Sequence, residues 1–234
     1  MINENESRHL FNSFNLDRMK STLSDFPYFC ASAEILKISR DDFDQIYDPR
    51  FLLHALCDSC RNSVSIDVIQ VIKSGALSFA FCALTIDDDE LRSVALETLS
   101  RIKEHTMLYR WSNYNLVASL FHLFELCSNQ NAPLSGVAAQ FFARASHLLI
   151  RPEHEFYQTV MAGVVHMEEF GHSIPDFLDY FWATIDQKGK RIWLINLIEE
   201  GITKKGDIKA LMYFHAIEFI FASLVYANKD HYLR

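Results

Sequence analysis

Apolar residues along this chain fall in blocks with helical spacing, separated by short polar turns. From Leu52, the apolar positions Leu53, Leu56, Cys57 and Cys60 follow at i+1, i+4, i+5 and i+8, which is one continuous helix face. Asp48 before it is a good N-cap and Pro49 suits a first helical position. The same rhythm predicts helices near 49–61, 65–73, 76–85, 88–103, 113–128, 133–150, 153–167, 175–184, 190–200 and 207–226. Pro49, Pro133, Pro152 and Pro175 stand where these patterns start. Connections of a few residues imply antiparallel neighbours. In 113–128 the polar stripe of Asn115, Ser119, His122 and Glu125 is narrow, so this helix needs cover on two sides. The segment RIWLINLIEEG has the same need, which makes Trp193 a core ring and Gly201 a helix terminator.

A repeat emerges at an offset of 43 residues. Leu77 then falls on Leu120, Phe81 on Phe124, Leu91 on Leu134, Val94 on Val137, Ala95 on Ala138 and Leu99 on Phe142. That offset lies within the period of roughly 40 to 47 residues of HEAT and armadillo helix pairs. The run Asp87 to Glu90, followed by Leu91, Arg92, Val94 and Ala95, resembles the start of a HEAT second helix, although Ser135 replaces Arg92 in the next unit. The expected class is all-α, built of stacked antiparallel helix pairs as a HEAT/armadillo-like α-solenoid. Two amphipathic hairpins alike by chance are the plain alternative.

Composition sharpens this picture. With 7 Gly, 5 Pro and half of the 234 residues hydrophobic, the chain suits helices around a sizeable core. The net charge of -8 opposes a broad nucleic-acid surface, so any RNA contact must be local. The stretch 210–227 is apolar, yet His215 and Glu218 in its middle argue for a buried helix rather than a membrane span. The beginning of the chain shows neither a secretory nor a mitochondrial signal, which leads to the expectation of an intracellular protein.

Candidate chemistry is sparse. Cys57 and Cys60 form a Cys-x-x-Cys, but they lie in a last helical turn, where the dipole disfavours thiolate, and no further ligand pair has matching spacing. Core packing is the expectation for both, and no disulfide framework is implied by Cys30, Cys57, Cys60, Cys82 and Cys127. His154 and Glu155 begin a near-match to H-E-x-x-H in which Gln158 stands at the second histidine. His166, Glu169 and His172 are too loosely spaced for a metal site. No phosphate loop, nucleophile elbow or recognisable acid–base pair is present, so no enzymatic activity and no cofactor are expected.

Several stretches in order resemble the carboxy-terminal domain of the nucleolar pre-ribosomal-associated protein family. They are YDPRFLL (47–53), SGAL (74–77), FFARASHLLIRPEHEFY (141–157), IPDFLDYF (174–181), IWLINLIEEGI (192–202) and GDIKALMYFHAIEFIFASL (206–224). The resemblance covers about 45–226, leaving 1–44 as a poorly matched amino-terminal segment, partly helical or flexible, before a helical-repeat domain at 45–234. It implies a non-catalytic scaffold for early large-subunit ribosome assembly in the nucleolus, with pre-ribosomal proteins and pre-rRNA as partners and neither membrane nor small-molecule substrate. Members of that family are much longer, so the expectation is a fragment, short isoform or incomplete gene model whose amino-terminal edge stacks on further helical repeats. A general HEAT or armadillo-type protein-binding adaptor is the alternative.

Two surface features are candidates for RNA or partner contact. Lys188, Lys190, Arg191, Lys204, Lys205 and Lys209 gather around the turns flanking helix 190–200, although Asp186, Glu199, Glu200 and Asp207 are interleaved and a solvated rim accounts for the same charges. Tyr47 and Arg50 are the second candidate, with a capping turn and a local Arg50 ion pair as the competing explanation.

Overall fold

The computed structural model describes residues 11–25, 45–62, 66–108, 113–128, 132–170, 188–202, 204–205 and 207–208. Among these the named elements are all helices: α1 (Leu16–Asp25), α2 (Pro49–Asn62), α3 (Val68–Lys73), α4 (Ala76–Ala83), α5 (Asp89–Leu108), α6 (Tyr114–Cys127), α7 (Gly136–Leu149), α8 (Tyr157–Phe170) and α9 (Lys188–Gly201). The predicted helices at 175–184 and 207–226 lie outside the described residues, apart from the beginning of the latter. No described helix is long and apolar enough to cross a membrane.

Short polar side chains set where helices begin. Asn15 accepts from the amides of Asp17 and Arg18, Asp48 from Arg50, Asp67 from Gln70, Asp88 from Glu90 and Leu91, and Ser135 from Ala138. Each bond satisfies an amide that the first helical turn leaves without a partner. Pro49 occupies its predicted first position, whereas Pro133 and Pro152 stand in the approaches to α7 and α8 rather than inside them. At Ser135 the capping bond, not the proline, sets the start of α7. Gly75 separates α3 from α4 with φ 83°, and a Cβ there would meet Met19 of α1 at 2.8 Å. Both backbone freedom and α1 require a glycine at this corner.

The helices sort into two layers. In one, α2, α5, α6 and α8 are successive neighbours; in the other, α4, α7 and α9 are. Across the gap α4 meets α2 and α5, and α7 meets α6 and α8. This order corrects the repeat reading in one respect. Translation by 43 residues would make α4 on α6 and α5 on α7 the main pairings, but α4 packs chiefly on α7 and α5 lies beside α6. The hairpins α4–α5 and α6–α7 therefore face each other, and the equivalent rings Phe81 and Phe124 meet between them at 5.4 Å.

That meeting point is the centre of the core. Phe81 stacks on Phe142 at 5.3 Å and lies 6.1 Å from Phe121, while Phe124 meets Phe142 edge-on at 5.6 Å. All eight residues of α4 are buried. Its Ser78 hydroxyl donates to the Ala143 carbonyl of α7 at 2.9 Å, so a polar group sits in the interior with its bond made. Burial of each such Phe contributes about 1.5–3 kcal/mol, with about 0.5–1.5 kcal/mol more for a well-placed ring pair.

The seam between α7 and α9 is tighter in backbone and looser in side chains. A Cβ on Gly201 would sit 2.6 Å from the Val137 Cα. Gly201, the last residue of α9, is where the two helices touch, and Gly75 is the only glycine with positive φ among the described residues. Trp193, expected in the core, is only partly buried on this seam.

Candidate interaction surfaces

The basic cluster is divided by the fold. Lys188, Lys190 and Arg191 belong to the first turn of α9, and their side chains, like all of Lys209, lie outside what is described. Lys204 is committed internally: its Nζ donates to the Thr85 carbonyl at 2.8 Å and pairs with Asp87, both just beyond α4. Asp207, 6% exposed, accepts from the Lys204 amide at 2.9 Å and from the Gly136 amide at 3.2 Å, at the start of α7. The turn after α9 is therefore latched onto α4 and α7 by one lysine and one aspartate. Lys205 is exposed.

Tyr47 and Arg50 are also engaged within the chain. The Asn15 amide donates to the Tyr47 hydroxyl at 3.0 Å, and the Tyr47 amide donates to the Thr22 hydroxyl at 2.8 Å. The Arg18 guanidinium lies 4.3 Å above the Tyr47 ring and donates to the Ile46 carbonyl at 3.0 and 2.9 Å. Arg50 pairs with Asp48 at 3.4 Å, the same carboxylate that caps α2. These residues clasp α1 to the start of α2.

The thiols are placed for packing. Cys57, Cys60 and Cys82 are buried thiols, and Cys127 is a half-buried one. Burial pushes the Cys60 thiol up to about 12 and raises Cys57 and Cys127 as well, the reverse of what a nucleophile or ligand needs. His105 on α5 is held below its ordinary value chiefly by burial, against a hydrogen bond with the Cys60 backbone, and its Nδ1 is enclosed without a partner. Among the described residues no group of three or more His, Cys, Asp or Glu side chains is placed to hold a metal ion. His154 Nδ1 accepts from the Phe156 amide at 3.2 Å, which makes it part of the 151–156 turn. The side chains of His166 and Glu169 and the whole of His172 lie outside the described residues.

Sequence reasoning missed a cleft of about 490 Å³ where α1, α4, α7, α9 and the turn before α8 converge. Gln140, Arg144 and His147, at i, i+4 and i+7, give it one wall from α7. Trp193 and Phe156, 5.9 Å apart and tilted by 33°, give it an aromatic wall, and Lys20, Glu155 and Glu200 reach it as well. Arg144 spans the α7–α9 seam: it pairs with Glu200, donates to the Trp193 carbonyl at 3.4 Å and lies 5.9 Å over the Trp193 ring. Burial, with Arg151 nearby, holds His147 down to about 4, so its imidazole is neutral at physiological pH. Polar groups beside aromatic walls are the usual make-up of a binding pocket. The available signal was the spacing of Gln140, Arg144 and His147 within an otherwise apolar stretch.

Comparison with known proteins gives one consistent relationship. The family model described as nucleolar pre-ribosomal-associated protein 1 matches residues 77–233. The chain is similar to nucleolar pre-ribosomal-associated protein 1 of Mus musculus, with 26% identity over 205 residues, covering 81% of this chain and 9% of that protein. Similarity to the protein of the same name from Homo sapiens is 27% over 173 residues, covering 71% of this chain and 8% of that protein. The chain thus spans less than a tenth of the length of the curated relatives it matches. No solved structure matches.

Proposed function

The chain belongs to the nucleolar pre-ribosomal-associated protein 1 family, and on that premise we propose that it is a non-catalytic helical scaffold acting in the nucleolus, in early assembly of the large ribosomal subunit. The family match over 77–233 carries this reading. Support comes from the layered helical architecture, which presents extended surfaces, and from the described cysteines being placed for packing. Partners are pre-ribosomal proteins first, because a net charge of -8 opposes wide phosphate contact. Of the basic residues, Lys205, Lys188, Lys190, Arg191 and Lys209 remain the candidates for RNA contact on this reading, since Lys204 is occupied by Thr85 and Asp87. As a scaffold, the domain positions these partners through surface complementarity and performs no chemistry on them.

Depletion followed by pulse-labelling of ribosomal RNA tests the proposal. Large-subunit rRNA precursors should fall, small-subunit precursors should persist, and re-expression should restore the former. Unchanged large-subunit precursors after complete depletion would refute the reading.

A further inference from the structure

We propose that the cleft between α7, α9 and the 151–156 turn is a docking site for an extended segment of a partner protein, which inserts one bulky apolar side chain against Trp193 and Phe156 and pairs its backbone amide with Gln140. Gln140 is 8% exposed and lines the cleft. Among the described residues its carboxamide makes no hydrogen bond, and only His105 Nδ1 is a fully enclosed side-chain atom without a partner, so the carboxamide opens into the cleft. A polar group so nearly buried is poised to complete its hydrogen bonds with an incoming partner. A carboxamide offers one carbonyl and two N–H bonds, matching the N–H and C=O of a peptide unit. His147, also without a hydrogen bond among the described residues and neutral at physiological pH, adds a donor and an acceptor without charge.

Charge and size choose the occupant. Lys20 and Arg144 are balanced by Glu155 and Glu200, and Arg144 is already paired with Glu200. No surplus of positive charge is left to hold phosphates, which disfavours a nucleic acid. A volume of about 490 Å³ suits a side chain with its flanking backbone and is far too small for a folded domain. Aromatic walls around a nearly buried amide are the features of an anchor pocket at a protein interface. The inference deepens the scaffold reading, naming the class of partner one surface takes, but its physical basis is the cleft alone.

Panning a library of short random peptides against the purified full chain tests it. Enriched peptides should share a Phe, Trp, Leu or Met anchor, and binding should slow hydrogen exchange at 140–148 and 154–157. Gln140→Glu should weaken the best peptide by roughly tenfold or more, measured where both chains are folded, while Lys205→Glu should leave its affinity unchanged. Absence of enriched peptides would overturn the proposal. So would protection confined to other segments, affinity unmoved by Gln140→Glu, or displacement of the peptide by a short random single-stranded RNA. Should Gln140→Glu fail to fold, the exchange pattern of the unaltered chain decides. Failure here leaves the depletion result untouched, and a failed depletion test leaves peptide binding untouched.

Discussion

The two faces of α7 solve different problems with the same fourteen residues. Towards α4 and α6 it presents Phe142, stacked on Phe81 and edge-on to Phe124, and the one hydroxyl of α4 that reaches it is bonded. Towards α9 it presents Gln140, Arg144 and His147, and meets its neighbour through a bare glycine, an ion pair and a half-buried tryptophan. The first face is a dry interlock whose stability depends on volume. The second is a latch beside an opening, and its stability depends on a few specific polar contacts. Burial alone does not distinguish the two faces; whether the polar groups find partners does.

Substitutions should separate the two regimes. Phe81→Ala, at the centre of four rings, should cost about 3–5 kcal/mol in chemical denaturation. A loss below about 1 kcal/mol would mean that the rings do not form one packed unit. Gly201→Ala should cost less, about 1–3 kcal/mol, because the added methyl must push α9 away from the Val137 backbone. A gain in stability there, as expected for a helix that is merely solvated, would dissolve the seam.

Lys204 and Lys205 give a finer comparison between adjacent residues. Lys204→Glu should lower stability by about 1–2 kcal/mol, since it removes the bond to Thr85 and sets like charges beside Asp87. Lys205→Glu should fall within about 0.5 kcal/mol of the parent. Equal effects would show that Lys204 is no latch.

The cleft face also sets a pH dependence. His147 titrates in the fold near 4, below its ordinary 6.5, so between those values the unfolded chain takes up a proton that the folded chain does not. Stability due to this residue is present above about pH 6.5 and lost as pH falls towards 4. The melting temperature should decline over that window, and His147→Gln should flatten the decline. His105, depressed in the same direction, contributes a residual slope.

Much of this was legible in the periodicity of the chain. Leu52, Leu56, Cys57 and Cys60 are buried along one face of α2 as their spacing predicts, and Asp48 caps that helix. Packing order was less legible. Phe81 and Phe124 repeat at 43 residues, but an offset does not distinguish hairpins stacked by translation from hairpins facing across a shared centre. Gly201 ends α9 as its place in the sequence predicts, but local rules cannot see Val137 approaching from 64 residues away. The cleft escaped for the same reason: Gln140, Arg144 and His147 look like a solvated stripe until α9 and the 151–156 turn close over them. Lys204 and Lys205 are indistinguishable as letters, and only the fold brings Thr85 and Asp87 to one of them.

A passive platform within nucleolar pre-ribosomal particles is checked by gradient sedimentation of the tagged protein with hybridisation for large-subunit pre-rRNA. The protein should travel with those precursors and leave those fractions after RNase treatment. Recovery only at the top of the gradient, free of pre-ribosomal RNA, would contradict it.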